Sequence, residues 1–127
     1  MASAPIFVGT PKSWYAKLSV ANTSRDGTGT TVSVVGGGTI GSRVDKIKAV
    51  ASGTVTAGVI RYYLTNGSTT ILLKEVLVPA TTPSTTIAAW EDERTFSDGL
   101  LIQNGWSLLA STNNAEAFNI IASGGDY

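Results

Sequence analysis

The chain has 127 residues, enough to enclose one hydrophobic core and too few for two, and its nine Lys and Arg balance nine Asp and Glu. No excess charge steers it towards nucleic acid or an anionic membrane surface, so neither is expected as a partner. With no His and no Cys, it lacks thiolate nucleophiles, disulfides and the usual ligands of zinc, copper, haem and iron–sulfur clusters, and no cofactor or metal is expected.

The opening MASAPIFVGTPKSW has no basic start leading into an apolar run, and no segment approaches the roughly 20 apolar residues that span a bilayer. The expectation is a protein made in soluble form in a cytoplasm. Residues 1–20 read as an N-terminal arm and first strand, in contact with neighbouring subunits, and 21–127 as one β-sandwich domain. Ile6, Phe7, Trp14 and Tyr15 in the arm, with Tyr127 at the other end, are the expected interface residues.

Thr, Val, Ile and aromatic residues dominate the rest, interrupted by Gly, Asn, Asp or Pro every 8 to 12 residues or so, the spacing of an all-β sandwich or barrel. Strands are predicted over 14–20, 30–35, 43–52, 57–65, 69–78, 85–96, 100–103, 107–112 and 117–123. The resulting fold class is an antiparallel, jelly-roll-like β-sandwich of about eight strands with little or no helix. Ahead of the second of these strands lies ANTSRDGTGTT, residues 21–31. A Walker-type phosphate loop would need Gly, four residues, Gly-Lys-Ser/Thr and a helix, and this stretch has neither the Lys nor the helix. Asp26 is its sole carboxylate, where calcium would want several oxygen ligands. Asp26, Gly27 and Gly29 therefore read as a tight turn into the following strand, with a weak cation site as the alternative.

In the predicted strand 57–65, Ile60, Tyr62 and Leu64 alternate with Val59, Arg61 and Tyr63, which implies one buried face and one that is exposed or at an interface. Asn66-Gly67 should close a hairpin through a type I′ turn, which needs positive φ at both central positions, and Asn104-Gly105 should close another. ILLKEVLV, from Ile71 to Val78, is apolar at both parities, so it is expected to be buried on two sides or covered by a partner. Pro79 and Pro83, unable to donate ladder hydrogen bonds, mark a connection.

Glu91 and Glu93 in WEDERTF point to one face of a strand, and paired carboxylates do acid and base work in glycosidases. The simpler reading is a solvated face with Arg94 as counter-charge. No His is present to activate a Ser, and no Ser has a Lys three residues on, so the common serine arrangements are excluded and no catalytic residue is assigned. Trp90 and Trp106 read as packing residues, with a sugar-stacking platform as the alternative.

The runs ANTSRDGTGTTVSVV, RVDKIKAVASGTVTAGVIRYYL, KEVLVPATTPSTTIAAWE and NGWSLLASTNNAEAFNIIASGGDY together resemble a family of small virion structural proteins of tailed bacteriophages, of the capsid decoration or cement kind. The resemblance runs from about Ala21 to Tyr127, and its closing NNAEAFNIIASGGDY is the most distinctive part. It implies a non-enzymatic protein on the capsid exterior whose partners are the major capsid protein and further copies of itself, a trimer being favoured. A tail, baseplate or fibre component that binds host glycan is the alternative.

Overall fold

The computed structural model describes residues 8–127 and contains eight strands: β1 (Thr10–Leu18), β2 (Val32–Gly36), β3 (Ser42–Ala51), β4 (Gly58–Thr65), β5 (Thr70–Val78), β6 (Glu91–Ile102), β7 (Ser107–Thr112) and β8 (Phe118–Asp126). They form two four-stranded antiparallel sheets, in the orders β1-β8-β3-β6 and β2-β7-β4-β5. The pairings are nested: β4 with β5, β3 with β6, β2 with β7 and β1 with β8. Rolling that ribbon up brings β3 beside β8 and β4 beside β7, which gives a jelly-roll-like sandwich.

Period-2 alternation explains the core. Val44, Ile47 and Ala49 of β3 and Phe118, Ile120 and Ala122 of β8 face Ile60 and Tyr62 of β4 and Leu108 and Ala110 of β7, all of them buried. Small residues at 49, 110 and 122 leave room for the rings of Tyr62 and Phe118, and Trp90 packs on Phe118 edge to face, with ring centroids 5.9 Å apart. Burying Phe118 alone stabilises the fold by about 3 kcal/mol. At one side of the sandwich β1 and β2 lie against each other, whereas β5 and β6 on the opposite side stand apart.

Several expectations change on contact with the structure. Predicted strands 85–96 and 100–103 are one strand, β6, whose residues 96–99 bulge out opposite Asp45, with Asp98 and Gly99 at φ 64° and 80°. Residues 85–90 belong instead to the connection from β5, where the hydroxyl of Ser84 accepts from the N–H groups of Thr86 and Ile87 and holds a turn. Asn66-Gly67 does join β4 to β5, but the N–H of Asn66 donates to Thr69 O, so Gly67 and Ser68 are the central residues. The positive φ, 94°, falls on Gly67 in the first central position, where a type II′ turn wants glycine, and Asn66 instead caps the turn with its side-chain oxygen. Asn104-Gly105 turns the chain with a bond from Trp106 N–H to Gln103 O, yet closes no hairpin, because β6 and β7 lie in different sheets. β5 is an edge strand that the chain itself does not bury on both sides: Ile71, Leu72 and Leu77 are exposed.

β4 departs most from its predicted pattern, since Ile60, Arg61, Tyr62 and Tyr63 are all buried. Segment 21–31 is the cause. It links β1 to β2, from one sheet to the other, and lies over the outer face of β4. The hydroxyl of Tyr63 donates to Ser24 O at 2.8 Å, and the Arg61 guanidinium donates to Asn22 O at 3.1 Å. Asn22 ties the segment to itself through Nδ2 bonds to Thr28 O and Thr30 O, at 2.9 and 2.8 Å.

Candidate interaction surface

Parity decides which side chains each sheet offers to a partner. On the outer face of the first sheet, Tyr15 of β1 stands opposite Ile121 of β8, which stands opposite Lys48 of β3, which stands opposite Glu93 of β6. Tyr15 is 73% exposed, and with Lys17, Asn119 and Ile121 it borders a shallow hollow on this face. Trp14 has the opposite parity and is half-buried against the core, so the aromatic pair of the arm divides its work between packing and surface. Ile6 and Phe7 lie outside the described residues. Tyr127 is half-buried at the end of β8, its N–H donating to Gly41 O.

Glu91 and Glu93 share the outward parity of β6, as expected, but their counter-charges are Lys48 and Lys46, at 3.5 and 3.3 Å, in place of Arg94. Arg94 has the inward parity and is held by Asp92 at 2.8 Å. The two glutamates stand exposed on the outer sheet face, each paired with a lysine. Among the described residues no group of three His, Cys, Asp or Glu side chains is placed to hold a metal ion, and no helix is long and apolar enough to cross a membrane.

Asp26 turns its carboxylate inward on its own loop: Oδ1 accepts from the N–H of Thr28 at 3.0 Å and from its hydroxyl at 2.6 Å. Those bonds hold its pKa below the ordinary value. Gly27 and Gly29 take φ of 87° and 80°, and a Cβ on Gly29 would meet the Asn22 side chain at 2.8 Å. Asp26 Oδ1 and the Asn22 amide are thus engaged within the segment itself, while the backbone oxygens of Asn22 and Ser24 take the bonds from β4.

Chemistry of a different kind concentrates at the end of the sandwich where β8 finishes. Asp126 pairs with Lys12 of β1 through one oxygen and accepts from the hydroxyl of the buried Ser42 of β3 through the other, while Ser42 in turn accepts from Gly38 N–H at 2.9 Å. Lys12 and then Ser42 hold the Asp126 carboxyl below its ordinary pKa. A group depressed in this way supports the fold fully above the ordinary value of 3.8 and loses that support as pH falls through the lower folded value. Urea midpoints measured from pH 6 down to pH 2 should therefore fall at the acid end, and Asp126→Asn should lower the midpoint near neutrality and reduce that fall. An unchanged acid slope in the variant would show that Asp126 is not the group responsible.

At the same end, between β5 and β6, lies an open apolar groove of about 270 Å³ lined by Leu64, Ile71, Leu101, Ile102, Gln103 and Trp106. Trp106 forms part of this groove and is half-buried, as is Trp90 against Phe118, so neither ring is a free-standing platform.

No protein-family model matches the chain, and no curated protein matches its sequence. Among the solved structures that resemble it, at low levels of similarity, are two of the same kind of protein. Both are crystal structures of a pentameric capsid protein isolated from metagenomic phage sequences. The first is 18% identical with a TM-score of 0.40, and the match covers 95% of this chain and 63% of that one; the second, phased with iodide, is 18% identical with a TM-score of 0.39 and is covered to 68%. The chain thus spans less than two thirds of the first neighbour's length.

The residues that sequence reading left unassigned are outward apolar ones: Leu101 of β6, Ile121 of β8 and Ile40, the last 71% exposed. Leu72 and Leu77 of β5, also exposed, were signalled by the double-parity apolar run of ILLKEVLV. Large apolar side chains held outward on rigid strands are costly in water and suit burial against another protein.

Proposed function

We propose that this chain is a non-enzymatic structural protein of a phage particle, a decoration protein that binds the capsid exterior, bridges major capsid protein subunits and associates with further copies of itself, in the favoured case as a trimer. The observation that carries the reading is the set of outward apolar side chains on a rigid sandwich, above all Tyr15 and Leu77, each 73% exposed. Their support comes with a sequence that resembles virion structural proteins and with acidic pairs that are neutralised on an open face. Several weak contacts made at once to one shell would add up through high effective concentration, which is how a small protein holds a capsid against internal pressure.

Reconstruction of an intact particle tests it: the chain should appear as added density on the outer capsid surface, contacting more than one major capsid subunit. Density confined to the tail or baseplate would replace the proposal with the tail-component alternative. Sedimentation of the purified protein separately reads its self-association, where a trimer's mass is expected and a pentamer's would change the copy number alone.

A further inference from the structure

An asparagine followed by glycine can lose ammonia without an enzyme, because the glycine nitrogen carries no side chain to obstruct its approach to the asparagine carboxamide. This chain has two such pairs, Asn66-Gly67 and Asn104-Gly105, and the fold treats them differently. In the turn from β4 to β5 both reacting groups are engaged. Asn66 Oδ1 accepts from the N–H groups of Ser68 and Thr69, at 2.9 and 2.7 Å, and the N–H of Gly67, the nitrogen that would attack, donates to the Thr65 hydroxyl at 3.1 Å.

The turn from β6 to β7 holds its pair far less. Asn104 and Gly105 are both exposed, and the reversal is closed by the backbone alone, through the bond from Trp106 N–H to Gln103 O at 3.0 Å. Among the described residues none bonds the Asn104 carboxamide or the Gly105 N–H. Around Gly105, at φ 87°, no described atom lies within 4 Å of the position a Cβ would take, so the peptide between the two residues has room to rotate. Gly67 has the same room; what separates the two sites is the hydrogen bonding. The remaining asparagines precede Thr, Asn, Ala or Ile, whose side chains crowd the attacking nitrogen.

We propose that Asn104 is a site of spontaneous deamidation in the folded protein, and that Asn66 is protected by its own turn. In mildly alkaline water the Gly105 nitrogen gives its proton to hydroxide and attacks Asn104 Cγ. The new N–Cγ bond replaces the Cγ–Nδ2 bond, and Nδ2 takes up a proton and leaves as ammonia. Water then opens the five-membered imide. Attack at Cγ breaks the new bond and leaves aspartate; attack at the main-chain carbonyl carbon breaks the original peptide bond and leaves isoaspartate. Nothing is oxidised or reduced, and the sum is amide plus water to carboxylate plus ammonium.

Either product sets a negative charge between Gln103 and Trp106, two residues that line the β5–β6 groove. Isoaspartate also adds a carbon to the main chain within residues 103–106, which are the whole connection from one sheet to the other.

The test is to hold the purified protein, folded, in warm and mildly alkaline buffer and to map its peptides over time, with fragment spectra placing each conversion and an isoaspartate-specific methyltransferase labelling that product. Asn104 should convert first. Three hydrogen bonds must open before Asn66 can react, and bonds of ordinary net strength put its delay at about tenfold or more. In denaturant the two sites should convert at similar rates, since unfolding leaves the same dipeptide at both. Asn66 keeping pace with Asn104 in the folded protein would overturn the proposal, as would a folded protein in which neither converts while both do so in denaturant. Asn104→Gln enlarges the ring to six members and should suppress modification at 104 while leaving the slow reaction at Asn66. Ammonia released by that folded variant at the wild-type rate would place the reaction elsewhere and equally overturn it.

Discussion

Replacing Gly124 by Ala should cost about 3 kcal/mol or more. β8 is the second strand of its sheet and is flanked by β1 and β3, and both neighbours close in where it carries Gly124 and Gly125. A Cβ on Gly124 would lie 1.8 Å from the carbonyl oxygen of Arg43 and 3.1 Å from the Cα of Val44. These are backbone atoms, so no rotamer change relieves the clash. Relief requires β3 to move at the point where its register shifts between Val44 and Lys46. Gly36→Ala is the control: nothing lies within 4 Å of the added methyl, and its φ is not in the left-handed region. Chemical denaturation should show Gly36→Ala within about 0.5 kcal/mol of wild type. Near-equal midpoints for the two variants would mean that β3 and β8 are not packed this closely.

Arg61→Ala should cost about 3 kcal/mol, because it empties a buried charged site that three groups converge on. The residue is 4% exposed, and its guanidinium reaches Glu75 Oε1 and Asn22 O, each at 3.1 Å, and Asn113 Oδ1 at 3.4 Å. Truncation leaves Asn22 O and Asn113 Oδ1 without this donor, while Glu75 keeps Arg25, and it removes one of the side-chain ties between segment 21–31 and β4, the Tyr63 hydroxyl to Ser24 O being the other. Hydrogen exchange should accordingly quicken in the segment more than elsewhere. Arg61→Lys keeps the charge but loses the planar fork, and should recover part of the stability. Arg25 also contacts Glu75, at 2.8 Å, but its side chain is 69% exposed, so Arg25→Ala should change stability by less than about 0.5 kcal/mol. An Arg61→Ala protein that unfolds at the wild-type midpoint would show that the cover is held by Tyr63 and Asn22 alone.

The difference between those two arginines measures how far the sequence could be read. Alternation located the strands, and the type and approximate bounds of most follow from β-branched residues between Gly, Asn and Pro. It could not show that segment 21–31 folds back over β4, since a charged residue in a half-apolar strand is ordinarily a solvent-facing one. The clue was pairwise: Arg61 and Glu75 face each other only once the β4–β5 register is fixed. Asn104-Gly105 illustrates the converse limit. A turn motif states that the chain reverses, but whether the following strand pairs with the preceding one or crosses to the other sheet depends on packing at a distance. At the surface, Tyr15 was legible as an outward aromatic, whereas Leu101 was not, because the bulge at 96–99 hides the parity of the residues beyond it.

The nested order of pairings also bears on how the chain finds its fold. Once β4 and β5 have met across residues 66–69, β3 and β6 are separated only by the linkers 52–57 and 79–90. Their pairing then leaves β2 and β7 apart by 37–41 and 103–106, and finally β1 and β8 by 19–31 and 113–117. Loop-closure entropy rises with the number of free residues enclosed, so each step taken in this order closes a short loop in place of most of the chain. A topology in which the first and last strands are partners thus offers a route outward from the central hairpin that divides the conformational search among four small closures.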